Sequence, residues 1–127
     1  MKKHRADNDQ PAAISEWGWR YHHIGIPTTE HLEGESYMSS WKLGKSGFET
    51  SPFGIEWMRY DKGSPVHELI QRVPHIAFEV DDIDAELKKH DLKILTPPNS
   101  PGSGTRVVMI EHNGAPVELI EFEKKSY

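Results

Sequence analysis

The sequence predicts one α+β domain made of paired β-α-β-β-β modules, the first of them abbreviated. Three observations predict it. From Pro74 onward the chain reads strand, helix, strand, strand, strand. The first half echoes that order, with a His on its opening strand (His23) and a Glu on its closing strand (Glu56), as His75 and Glu118 open and close the second. The chain has 127 residues, the commonest size for a single domain, and halving it would leave pieces too small for a core.

Each element has a local reason. Residues 1–16 are polar, aperiodic and contain Pro11, so a flexible N-terminal arm is expected there and the domain over 17–127. Trp17 to Ile26 is aromatic and β-branched and stops at Pro27, which is strand material. Thr28 to Ser51 is ambiguous. Thr28, Thr29 and Glu30 suit the start of a short helix, while Gly34, Gly44 and Gly47 break a long one. One strand is expected within Ser39 to Phe48.

Phe53 to Tyr60 is a clear strand, closed by the turn signal Asp61-Lys62-Gly63-Ser64-Pro65. Val66 to Gln71 reads as a helical turn, and His75 to Val80 as the next strand. Asp81 or Asp82 caps a helix carrying Ile83 and Leu87 at helical spacing, acidic early and with Lys88 and Lys89 late. A short strand at Leu92 to Leu95 leads to a loop over Pro97 to Gly104. That loop lacks a phosphate-loop pattern and suits a mobile lid. The runs 105–111 and 115–122 flank Asn113-Gly114, a strong hairpin signal.

Composition removes several function classes. The net charge is -5 without a basic stripe, so nucleic acid is an unsuitable partner. No apolar run nears the roughly 20 residues of a bilayer span, and no apolar stretch follows the basic start, so neither a membrane nor a secretory signal is expected. The absence of cysteine removes disulfides, thiolate metal sites and Cys nucleophiles. A cytoplasmic location is the simplest expectation.

Four segments carry a resemblance: YHHIGIP from Tyr21, GIEWMRY from Gly54, PHIAFEVDDIDAEL from Pro74 and NGAPVELIEF from Asn113. In them the chain resembles the vicinal-oxygen-chelate superfamily of glyoxalase-like, bleomycin-resistance-type and extradiol-dioxygenase-like proteins. The resemblance implies a glyoxalase-like fold, a mixed sheet curled around one cleft. It implies a divalent metal ion (Zn, Ni, Fe, Mn or Co) held by His23, Glu56, His75 and Glu118, one from each of four strands. It also implies a lyase or isomerase of a small 2-oxo or α-hydroxycarbonyl compound, working through a metal-stabilised enediolate, with Glu56 or Glu118 as the general base. An Fe(II) extradiol-type dioxygenase, in which Glu56 is dispensable, is one alternative. A metal-free binding or sequestering protein of the bleomycin-resistance type is the other. The expected partners are a small-molecule substrate and a second copy in a homodimer. Only 33 residues separate His23 from Glu56, so the first module must be trimmed.

Strand parity sharpens the ligand set, because side chains alternate faces with period two. His75, Ala77 and Glu79 share one face; Ile76, Phe78 and Val80 share the other and should pack under the helix. His23 lies opposite the face of His22, Ile24 and Ile26, which favours it over His22. Glu56 shares its face with Met58 and Tyr60, and Glu118 with Ile120 and Phe122. Glu121 competes with Glu118, since both faces of that strand carry a Glu. His22, His31, His67, His90 and His112 read as surface residues, and Arg106 as a salt-bridge partner more readily than an anion anchor. Trp41, Phe48, Trp57 and Met58 suit a pocket wall or a core equally.

Overall fold

The computed structural model describes residues 4–124. Eight strands form one mixed, curled sheet. In chain order they are β1 Arg20–Pro27, β2 Ser36–Met38, β3 Leu43–Ser46, β4 Ile55–Tyr60, β5 His75–Glu79, β6 Lys93–Gly102, β7 Thr105–His112 and β8 Ala115–Phe122. The helices are α1 Ala12–Ser15, α2 Glu68–Arg72 and α3 Ile83–Lys89. None among the described residues is long and apolar enough to cross a membrane.

The strand order is β2-β3-β4-β1-β5-β8-β7-β6. Each half lays down its strands in the same pattern, with its first strand parallel to its fourth: β1 to β4, and β5 to β8. The halves join through the antiparallel β1–β5 pair. The echo in the sequence is thus an echo in topology, and the first and last strands of both modules occupy the middle of the sheet.

One face of the second half holds the largest core cluster. Phe78 and Val80, Val108 and Ile110, and Leu119 pack with Ile83 of α3 and with Trp19. Ile83, Val108 and Leu119 have no exposed surface, and burying each side chain contributes about 1.5–3 kcal/mol. α3 starts where Asp82 accepts from the Ala85 N–H, with Asp84 and Glu86 in its first turn and Lys88 and Lys89 in its last, as its dipole favours. The turn Asn113-Gly114 places both residues at positive φ, 50° and 84°, the combination that a type I′ hairpin requires.

Four sequence expectations change. Residues 12–15, expected within the arm, form α1, and Ala13 and Ile14 pack against the core cluster. Their apolar side chains complete the layer over Trp19. The expected loop at Pro97 to Gly104 is mostly strand, since β6 runs to Gly102 with repeated register shifts. Proline is tolerated there because an edge strand leaves one row of N–H groups unpaired. The first half has two short strands, β2 and β3, where one was expected within 39–48.

No helix forms after β1. Instead Thr28 Oγ1 accepts from the Glu30 N–H in a local turn. The outer face of the first half is covered by an ion pair in place of a helix. Arg59 donates twice to Glu35, at 2.9 and 2.8 Å, and pairs with Asp61. The Glu35 carboxylate lies over Gly44, where a Cβ would approach its Cδ to 2.2 Å.

Candidate metal centre

Two cross-strand rows place the four predicted ligands. In one row Glu56 of β4, Gly25 of β1 and His75 of β5 are direct neighbours. In the other, His23 of β1, Ala77 of β5 and Glu118 of β8 are neighbours. The large polar residues alternate with the smallest ones. Gly25 makes room for the His75 imidazole, since a Cβ there would fall 2.2 Å from its Cε1. Ala77, with no exposed surface, leaves the gap between His23 and Glu118.

His75 Nε2 lies 3.0 Å from Glu118 Oε1, and His23 Nε2 lies 3.6 Å from the same oxygen. The two imidazole centroids are 5.5 Å apart. The ligand atoms of His23, His75 and Glu118 all fall within 4.8 Å of one another. Glu56 stands outside that tight group, but its Oε1 is 3.7 Å from His23 Nε2.

These groups are costly to bury without a partner. His23, Glu56 and His75 are buried at 5%, 8% and 3% exposure. His75 Nε2 lies 3.0 Å from Glu118 Oε1 but is left without a well-directed hydrogen bond. A buried polar atom left unpaired is rare. A divalent cation fits this donor set. Ligands at about 2.1 Å from one ion sit about 3.0 Å apart in an octahedron and about 3.4 Å in a tetrahedron, close to the 3.0 and 3.6 Å that separate Glu118 from His75 and His23. Imidazole and carboxylate donors suit Zn, Ni, Fe, Mn or Co.

The electrostatics point the same way. Burial pushes the His23 imidazole down to about 4; Glu118 opposes the shift, while His75 and His22 add to it. A neutral imidazole is the form that ligates a metal. Burial raises the Glu56 carboxyl, against the pull of Lys45. Burial also pushes Glu118 upward, but the adjacent His75 and His23 imidazoles bring it below the ordinary carboxylate range.

Glu118 lies beside His23 and His75, while Glu121 Oε1 accepts from the Ile83 N–H, 2.8 Å away at the start of α3. Arg106 pairs with Asp84 at 3.2 Å. His90 stacks on Trp17, with ring centroids 3.9 Å apart. His67 caps α2, where its Nδ1 accepts from the Leu69 N–H.

Three residues that sequence reasoning passed over stand by the cluster. His22 Nδ1 is 2.8 Å from His23 Nδ1, so the His23 ring presents Nε2 to the cluster. A register shift between Tyr21 and His23 brings this about, and no sequence signal announces it. Lys45 is the register partner of Met58 and so shares the face of Glu56. The Tyr60 hydroxyl is held protonated by burial and by Glu118 and Glu56; its place on the Glu56 face was the available clue.

A cavity of about 510 Å³ opens beside the cluster, with His75, Glu118, Met58 and Tyr60 in its wall. Trp41 also lines it. Phe48 instead stacks on His22, with centroids 5.2 Å apart, and Trp57 is 37% exposed.

No family model and no curated protein matches the chain. Solved structures do. A hypothetical protein from Bacillus halodurans C-125 superposes with a TM-score of 0.64 at 20% identity, covering 86% of this chain and 98% of that one. Methylmalonyl-CoA epimerase from Mycobacterium tuberculosis superposes with a TM-score of 0.59 at 20% identity, covering 83% and 89%. At that identity the likeness is one of fold, and the chain has the glyoxalase-like fold.

Proposed function

We propose that this protein is a metal-dependent, glyoxalase-like isomerase or lyase of a small 2-oxo or α-hydroxycarbonyl compound. The observation that carries the reading is His75 Nε2, buried and unbonded within reach of His23 and Glu118. His23, His75 and Glu118 hold the cation, and Glu56 completes the set. A divalent cation supplies a Lewis acid for two neighbouring substrate oxygens.

The side chains divide the remaining work. His23, kept neutral by burial, and His75 are aimed by their strands, and Glu118 brings the balancing charge. Glu56, which stands outside the tight group with its Oε1 3.7 Å from His23 Nε2, is free to move a proton at the carbon beside the carbonyl. Tyr60, still protonated, is positioned to donate a hydrogen bond into the cavity.

The test is solvent deuterium wash-in at the carbon next to the carbonyl, followed by NMR on metal-loaded protein over a panel of small α-hydroxycarbonyl compounds. Exchange that Glu56→Gln slows by about 10²–10⁴-fold, with metal still bound, supports the reading. Exchange unchanged by Glu56→Gln rules Glu56 out as the base, and no exchange with any compound removes the isomerase reading.

One observation favours a second reading. The tight group is two His and one carboxylate without Glu56, the ligand type of non-haem Fe(II) oxygenases. Dioxygen uptake with Fe(II) and a catechol, insensitive to Glu56→Ala, would select this extradiol-type reading.

A further inference from the structure

The cavity beside the cluster is lined mainly by apolar side chains. Its wall includes Met38 of β2, Met58 of β4 and Met109 of β7, together with Trp41, Leu43 and Val107. These are all the methionines among the described residues. They come from three strands in both halves of the sheet, so their convergence is a property of the fold and not of one segment. Leu43, Met58, Val107 and Met109 are each at most 8% exposed.

The wall holds no Lys or Arg. Its ionisable side chains are His67, His75, Glu118 and the protonated Tyr60, and its other polar side chains are neutral. An anionic tail that reaches away from His75 and Glu118 would lose water here without a Lys or Arg to receive it. Thioethers are polarisable and conform to flat rings, with favourable sulfur–aromatic contacts. Trp41 adds an aromatic surface to the same wall.

We propose that the ligand of this site is a neutral aryl-substituted α-hydroxycarbonyl compound. Its two oxygens lie toward His75 and Glu118, and its ring sits among Met38, Met58 and Met109. This rests on the metal reading for the oxygen end and on the cavity wall alone for the ring. The site is then selective against phosphorylated substrates and against carriers with long anionic tails.

The experiment uses the full chain with ¹³C-labelled methionine methyl groups, zinc-loaded and metal-free. It compares 2-hydroxy-1-phenylethanone with glycerone phosphate, which share the α-hydroxyketone group and differ in the body. The phenyl compound should shift the methyl signals of Met38, Met58 and Met109 saturably, and bind at least about tenfold more tightly than the phosphate ester. Equal or tighter binding of the phosphate ester overturns the proposal, as does an absence of methionine shifts with the phenyl compound in both states. A failure to bind zinc takes down the metal reading by itself. The methyl shifts of the metal-free protein then decide the ring site, for or against.

Discussion

A Cβ on Gly25 would lie 2.2 Å from Cε1 of His75, so the smallest residue on β1 is what lets the neighbouring imidazole lie across the sheet. No ordinary carbon contact is that short. Gly25→Ala must push the ring out of the cluster or part the strands. We expect metal affinity to fall about 10–100-fold and stability to fall by about 1–3 kcal/mol. Calorimetric titration and urea unfolding measure the two separately. Unchanged affinity would show that the ring position does not matter.

His22 acts on the centre through His23. With Nδ1 of each ring 2.8 Å apart, His22→Phe keeps the stacking on Phe48 and deletes the hydrogen bond. Metal affinity should fall about 10–100-fold with the unfolding midpoint of the metal-free protein little changed. Parallel loss of both would mean that His22 is only packing.

Glu86 ties α3 to Trp19, whose Nε1 donates to Oε1 at 2.8 Å. Glu86→Ala leaves a buried indole N–H unbonded and should cost about 1–3 kcal/mol. Burial alone pushes the Glu86 carboxyl upward, but Trp19 and Lys89 draw it below its ordinary 4.5. The sign follows: this contribution is fully present above pH 4.5 and is lost as pH falls through the lower native value. Glu86→Gln should flatten that part of the acid-unfolding curve, measured by circular dichroism at fixed urea. An identical curve would remove Glu86 from the account.

A homodimer is the expected assembly. Phe53 is 73% exposed and Tyr21 46%, and the Tyr21 hydroxyl donates to the Phe53 carbonyl at 2.8 Å, so two exposed aromatic residues lie close together. Light scattering should give twice 14.5 kDa, and Phe53→Asp should shift the mass toward the monomer. A wild-type monomer at micromolar concentration would contradict this.

Legibility in the sequence followed strand length and burial. Over β5 and the residue after it the alternation Ile76, Phe78, Val80 against His75, Ala77 is unmistakable, because one face packs on α3 and the other faces the cleft. The choice of His75, and of His23 over His22, followed from that rule. β2 and β3 have three and four residues, too few for any period to emerge. Their outer face is covered by the Glu35–Arg59 pair, which leaves no apolar stripe to read. Parity could not separate Glu118 from Glu121. The helix start at Ile83 did, by claiming Glu121. His22 escaped because a register shift undoes alternation at that point. The prolines of β6 concealed an edge strand for the same reason that they are allowed there.

On the proposed function His23, His75 and Glu118, from three strands, bind one cation. Elemental analysis of protein equilibrated with limiting Zn, Ni, Mn or Fe(II) and then gel-filtered tests it most directly, with His75→Ala and Glu118→Ala alongside. Close to one metal per chain is expected in the wild type, with loss of it in both variants while the far-ultraviolet circular dichroism is retained. No retained metal in the wild type, or an equal amount in His75→Ala, would contradict it.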